Sequence, residues 1–326
     1  MKKITTEDFI KYFLILFIPL FFILLNLSIY NGITRRLKNP YGEKVSAKSI
    51  ELDAYLPFDE NSRIVKIDAD EKYKFNDGDV MPVLDGATAL LPVYSAVFNS
   101  MYPESAFGFN GTDFTKESYL QKRNTAGAFK AIVDGSSDIV FCAEPSKKQL
   151  DFAKEHNVEL TLVPIGYEAF VFIVNKNNPV DSLTVEQVKR IFSGEYKYWN
   201  EAGGDNYRIS PVLRAEGSGS QTAMHAFMGD RKLLTKSNIF SGRAIGYSFR
   251  YYVEGIVSDT NIKMLALNGI EPTKENIKNK SYPVFSNFYA IYRSSDSDRE
   301  DIKKVIDFVL SEKGQEIVEK SGYVGL

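Results

Sequence analysis

Apolar positions along the chain fall into three regimes. Residues 12 to 30 form one run without a charge. Residues 31 to about 78 are mostly polar, with Leu52, Tyr55, Leu56, Phe58, Ile64, Val65 and Ile67 scattered through them. From about residue 79 onward, short apolar runs alternate with segments whose apolar residues recur at helical spacing. Val80 to Leu84 reads as a strand, Asp85-Gly86-Ala87-Thr88 as a turn, and Ala89 to Met101 as a helix whose apolar face is Leu90, Leu91, Tyr94, Val97, Phe98 and Met101. Pro92 is tolerated in its first turn. Further helices are expected over Thr125–Val133, Lys147–His156, Thr184–Phe192 (capped by Ser182 or Thr184), Ala223–Met228, Arg299–Leu310 and Gln315–Lys320. Strands are expected over Asp138–Cys142, Glu159–Val163, Ala169–Val174, Ile209–Leu213, Ala244–Phe249, Ile262–Leu267 and Val284–Tyr292. The unbroken run Asp138-Ile139-Val140-Phe141-Cys142 suits a parallel strand covered on both faces. Strands alternating with helices predict α/β units with mostly parallel sheets.

The uncharged run is close to the roughly 20 residues needed to cross a bilayer. Lys2, Lys3 and Lys11 precede it, and Tyr12 and Tyr30 sit where interfacial aromatics are favoured. A cleaved signal peptide usually has a shorter apolar core and a small-x-small site. This run shows no such site, so residues 12–30 are expected to be an uncleaved transmembrane anchor, with a cleaved signal as the alternative. Arg35, Arg36 and Lys38 balance the lysines before the run, so charge does not set its orientation. Residues 1–11 are a short N-terminal segment, and 31–78 a stalk and lead-in whose apolar residues pack in part against the body.

Composition narrows the function. The 326 residues are 44% apolar and 25% charged, as in folded globular proteins. A formal net charge of −2 gives no basic excess for a nucleic-acid backbone. The single cysteine, Cys142, rules out an internal disulfide and a cysteine zinc site. Two histidines, His156 and His225, are too few for a His-rich metal centre. No catalytic residues, metal site or cofactor are expected.

The chemistry lies in Arg214-Ala215-Glu216-Gly217-Ser218-Gly219-Ser220-Gln221-Thr222, between an expected strand and an expected helix. A Gly/Ser turn there leaves backbone N–H groups pointing outward at the positive end of the helix dipole, which makes an anion site. Ser218 and Ser220 add hydroxyls. Arg214 adds a planar charged fork suited to a tetrahedral oxyanion, with Glu216 placed to hold it. Thr88, Thr125 and Glu144 likewise fall at strand ends or helix starts. In open α/β sheets ligands sit at the carboxyl ends of strands, so all four sites are expected to collect on one small ligand.

This arrangement resembles the phosphate-binding protein family (PstS-like), the substrate-binding subunits of phosphate ABC transporters. Asp85-Gly86-Ala87-Thr88-Ala89-Leu90-Leu91-Pro92 is similar to the family's first phosphate loop, Asn124-Thr125-Ala126-Gly127 to the segment of its second hydroxyl donor, and Asp138 through Pro145 to the segment of its acidic residue, with Glu144 the nearest carboxylate. Arg214 through Ser220 is similar to its Arg-x-Asp-Gly-Ser-Gly-Thr loop. Ala244-Ile245-Gly246-Tyr247 and Gly322-Tyr323-Val324 also look like family segments, and the resemblance covers roughly residues 79 to 326. Glu stands where the family has Asp at 144 and 216, the stretch between Met228 and Ala244 is shorter, and the apolar run stands where the family has a lipid or a free periplasmic form.

The resemblance implies a two-lobed periplasmic-binding-protein fold of type II, a Venus flytrap, behind the N-terminal span. Lobe one would be 79–167 plus 281–326 and lobe two 168–280. Inorganic phosphate would lie between them, held by Thr88, Ala89, Thr125, Glu144, Arg214, Ser218, Gly219 and Ser220, with Gly86, Glu216 and Gly217 in support. A buried carboxylate at Glu144 accepts a hydrogen bond only from a protonated oxyanion, so it selects phosphate over sulfate. The implied role is extracytoplasmic capture for ABC permease subunits. A membrane-tethered sensor or scavenger of the same fold is the alternative, and a phosphatase-like enzyme a third class.

Overall fold

The computed structural model describes residues 13, 15, 17, 18, 20–28, 52–235, 243–257 and 261–326. The anchor expected over 12–30 therefore lies partly outside the described residues, as do residues 236–242 of the short stretch between Met228 and Ala244. Residues 20–28 are helical, and Phe21, Phe22, Ile23 and Leu24 are exposed. Among the described residues no helix is long and apolar enough to cross a membrane.

The strands are β1 (Leu84–Gly86), β2 (Ile139–Ala143), β3 (Leu160–Asn175), β4 (Ser182–Leu183), β5 (Ile209–Pro211), β6 (Arg243–Phe249), β7 (Ile262–Met264), β8 (Ala266–Leu267) and β9 (Phe285–Arg293). The helices are α1 (Leu91–Met101), α2 (Asn124–Asp134), α3 (Lys147–Glu155), α4 (Val185–Ser193), α5 (Gly219–Met228), α6 (Lys274–Lys278), α7 (Glu300–Leu310) and α8 (Glu312–Lys320). Several begin where side chains satisfy the first free N–H groups. Ser146 with Gln149 and Thr184 with Gln187 form reciprocal capping boxes, and Ser218 caps α5 by accepting from the Gln221 N–H.

The expected alternation is present, but the sheet is less parallel than it suggested. Strands run in the order β1-β2-β9-β3-β6-β5, with β7 also on β3. β1 with β2 and β5 with β6 are parallel, while β9 is antiparallel to both β2 and β3, and β3 is antiparallel to β6 and β7. The cause is β3. The two strands expected over 159–163 and 169–174 are one strand of 16 residues. Its first part pairs with β9 through Ala169↔Phe285, and its second with β6 from Phe170↔Phe249. One strand thus serves two sheet halves.

Each half has its own core, which gives the two lobes. Tyr94, Phe98, Phe141, Ile165, Phe308 and Val309 anchor one, and a smaller cluster around Phe129, Ile132 and Val140 adjoins it on the other face of the sheet. Phe170, Phe172, Phe192, Trp199, Tyr247 and Tyr282 anchor the other. The lead-in belongs to the first core: Tyr55, Leu56, Ile64 and Phe75 are buried there, and the Ser95 hydroxyl donates to the Tyr55 carbonyl at 2.7 Å. The C-terminus closes onto the crossing strand, with the Tyr167 N–H donating to the Val324 carbonyl at 2.7 Å.

Candidate functional site

Three chain reversals meet where the lobes face each other. After β1 the chain turns through a short 3-10 segment, Thr88–Leu90, into α1. The Tyr323 hydroxyl, buried near the C-terminus, donates to the Ala89 carbonyl and fixes this turn from below. Burial pushes the Tyr323 phenol well above its ordinary range, so it stays a donor.

The second reversal is the start of α2. Asn124 takes a positive φ of 61°, which Asn tolerates, and its Oδ1 accepts from the Ala126 and Gly127 N–H groups at 3.1 and 3.2 Å. The fully buried Asp85 links this helix start to β1. Its carboxylate accepts from the Gly86 and Arg123 N–H groups at 2.8 and 3.0 Å, from the Arg123 guanidinium at 2.6 Å and from the Ser137 hydroxyl at 3.1 Å.

The third reversal is the Arg214–Ser220 loop ahead of α5. Its backbone is held from the core of the second lobe: the Arg214 N–H donates to the Tyr247 hydroxyl at 3.0 Å and to Gln221 Oε1 at 3.2 Å, while the Tyr247 hydroxyl donates to Gln221 Oε1. Among the described residues the Arg214 guanidinium forms no ion pair. Glu216, expected to hold that fork, turns the other way. Its Oε1 stands 3.1 Å from His225 Nε2, because a helix places His225 one turn beyond Gln221 on the same face.

These reversals enclose a cavity of about 430 Å³. Thr88, Ala89, Thr125, Arg214, Glu216, Gly217, Ser218, Gly219 and Ser220 all line it. Gly86 stands behind the turn instead, where a Cβ would strike the Phe141 carbonyl at 2.5 Å, so it supports by allowing β1 and β2 to meet. The Ser218 hydroxyl is engaged within the loop, donating to the Ala215 carbonyl at 2.7 Å as it caps α5. Glu144 is not in this cavity. It is exposed and lines a wider neighbouring one of about 890 Å³ that shares Ala126, Ala143, Glu216, Gly217, Gly219 and Ser286 with the first.

Among the lining residues that escaped the sequence reading are Ser248 and Glu168. Ser248 follows Tyr247 on β6, and Glu168 sits on β3, 3% exposed. Burial pushes the Glu168 carboxyl up to about 7, opposed by the pull of Arg250 and two backbone N–H groups. Asp85 with Arg123 and Tyr247 with Gln221 were missed as well. Each partner lies in another element, and no local pattern joins them.

The cavity offers one guanidinium and the starts of α2 and α5, each helix start worth roughly half a positive charge. The first N–H groups of α5 have no partner within the helix. Such a cleft is suited by charge and size to a small tetrahedral anion, and the lobes, joined by one shared strand and a returning C-terminus, make a two-lobed α/β fold. The chain belongs to the PBP superfamily: a PBP superfamily domain model matches residues 83–313. Among curated relatives, the phosphate-binding protein PstS of Borreliella burgdorferi is 25% identical over 181 residues, spanning 49% of this chain and 64% of its own length. Protein SphX of Synechococcus elongatus is 24% identical, spanning 75% of this chain and 86% of its own. Among solved structures, a Clostridium perfringens protein described as a phosphate ABC transporter substrate-binding protein, with bound phosphate, is 28% identical with a TM-score of 0.58, over 74% of this chain and 98% of its own.

Proposed function

We propose that the protein binds inorganic phosphate in the interlobe cleft, outside the cytoplasm, and delivers it to the permease subunits of an ABC transporter. The observation that carries this reading is the Arg214 guanidinium, without an ion-pair partner among the described residues, in a cavity shared with Thr88, Thr125 and the start of α5. A dianion drawn from water needs near-complete compensation. Arg214 supplies one charge, the helix starts share the rest, and Thr88, Ala89, Thr125, Ser218, Gly219 and Ser220 saturate the oxygens, with Gly86, Glu216 and Gly217 shaping the loops. In this reading lobe one is 79–167 plus 281–326, lobe two is 168–280, and hinge closure buries the ligand. Glu144 follows directly on Ala143, which lines both cavities, and closure brings its carboxylate over the anion to accept the proton that phosphate keeps and sulfate lacks. The protein performs no chemistry on its ligand.

Residues 12–30 anchor the chain in the cell membrane, a reading supported by the exposed apolar side chains on the helical residues 20–28. That tether also favours a second role, a membrane-held phosphate sensor or scavenger not coupled to transport. Titrating the 31–326 fragment with phosphate, sulfate and molybdate tests the main reading. Tight phosphate binding with far weaker sulfate binding supports it; no binding of any of the three ends it. Phosphate-dependent stimulation of uptake in permease-containing vesicles separates transport from sensing.

A further inference from the structure

Glu168 lines the anion cleft beside Arg214 and Glu216, with no task in phosphate capture as described. It lies on β3 opposite Ser286 of β9, two residues before the strand transfers to β6. Its side chain lines the same cavity as Thr88, Arg214 and Ser220 yet is buried. Its oxygens accept from the Ala169 N–H at 2.9 Å and the Tyr251 N–H at 3.2 Å, and Arg250 Nε stands 3.4 Å from Oε1. Arg250, directly after β6, also donates to Glu254 and to the Gly322 carbonyl. The second lobe, the crossing strand and the C-terminus therefore meet on this carboxylate.

The other ionisable groups around it are few. Tyr251 and Tyr323 pack together with ring centroids 4.7 Å apart, and burial pushes both phenols up, so both stay neutral. Glu254 adds a negative charge beside Arg250, and Lys274 of α6 is near enough to interact electrostatically with Glu168, Arg250 and Glu254. Arg214 and Glu216 line the cavity with it. Arg250 is already shared among Glu168, Glu254 and Gly322, so a tetrahedral anion entering a cavity of about 430 Å³ adds negative charge beside Glu168 and Glu216, with Arg214 and the starts of α2 and α5 to answer it. Like charges in one desolvated site are relieved most readily by protonating one of them.

We infer that Glu168 takes up a proton from solvent as the anion enters, so that anion capture is coupled to protonation of the cleft. One O–H bond forms on the Glu168 carboxylate, the proton comes from water or buffer, and the ligand's own protons are unchanged by the step. With the carboxyl already lifted to about 7 by burial, the added negative field of the anion pushes it further towards the protonated form near neutral pH. This inference rests on the reading that the cleft binds phosphate.

The test is calorimetric titration of the full chain in detergent with inorganic phosphate at pH 7, in buffers of different ionisation enthalpy, for the native protein and Glu168→Gln. Phosphate itself titrates in this range, so the difference between native protein and variant is read together with the carboxyl infrared band, which assigns the excess proton to Glu168. The native protein is expected to take up a fraction of a proton more per anion than the variant, with the excess vanishing as the pH falls well below 7. Equal proton counts would overturn the coupling while leaving phosphate binding intact; no binding by the native protein would overturn the functional reading instead. If Glu168→Gln does not fold, infrared difference spectra of the native protein decide. A gain of protonated-carboxyl absorption on adding phosphate supports the inference, and its absence refutes it.

Discussion

Thr125 and Gly219 face each other across the cleft so closely that a Cβ on Gly219 would stand 3.4 Å from Thr125 Oγ1. The start of α2 from one lobe and the start of α5 from the other thus converge on one point. The same hypothetical Cβ would lie 3.7 Å from Phe249, an ordinary contact, and Gly219 does not need a positive φ. Gly219→Ala should therefore fold normally, its melting temperature unchanged or slightly higher because Ala favours helix over Gly. The added methyl occupies the approach to the α5 amides, so phosphate affinity should fall about tenfold, the equivalent of roughly 1.4 kcal/mol. Calorimetry and a thermal melt on the same sample check both halves. Unaltered affinity would place the anion elsewhere.

Arg214→Ala should weaken phosphate binding by about a hundredfold or more, since hydrogen bonds to charged groups contribute about 1.5–3 kcal/mol each. The loop itself should survive, because Tyr247 and Gln221 hold the Arg214 backbone N–H and not its side chain. Far-UV dichroism is expected to be unchanged. Arg214→Lys keeps the charge but loses the planar fork, and should fall between the two. An Arg214→Ala protein with native affinity would remove this site from consideration.

What could be read beforehand is what local chemistry encodes. The Gly/Ser turn after β5, the cap at Thr184, and the helical spacing of α1 and α7 were all legible, since each depends on residues within one or two turns. Strand direction was not. Pro164, Gly166 and Glu168 interrupt the apolar run of β3 and read as a loop between two strands. In the structure a bulge absorbs the step between Pro164 and Gly166, and Arg250 meets the charge of Glu168 from the end of another strand. Glu216 shows the same limit in reverse. Proximity in sequence suggested Arg214 as its partner, whereas the helix repeat delivers His225.

Asp85 connects the two lobe-one reversals and should be the most fragile residue near the site. Asp85→Ala strands the Arg123 guanidinium and three further donors on groups packed around a fully buried position. The Arg123 side chain is about a third exposed and keeps its bond to Ser137, so the loss comes mainly from the buried donors left unsatisfied, about 1–3 kcal/mol, which urea unfolding should show. Because Thr88 and Thr125 both depend on this junction, phosphate affinity should fall even where the variant remains folded. A stability change within about 0.5 kcal/mol, typical of surface sites, would contradict this account.

Glu168 makes stability depend on pH in a direction opposite to that of most carboxylates. Burial raises its folded-state value to about 7, against roughly 4.3 in an unfolded chain. Between these values the folded protein holds the proton more tightly, so the contribution is fully present below about 4.3 and is lost as pH rises towards 7. Carboxylates that donors hold low, such as Asp134 beside Ser136, contribute in the reverse sense, which obscures the effect in the native protein alone. Glu168→Gln has no such titration, so the difference between native and variant stability isolates it. Urea unfolding of both proteins without phosphate, from pH 4 to pH 8, should show the native protein losing ground to the variant across that window. A difference that is flat, or that grows in favour of the native protein with rising pH, would mean that Arg250 and the two N–H donors hold Glu168 charged, and the carboxylate would then face the cleft as a permanent anion.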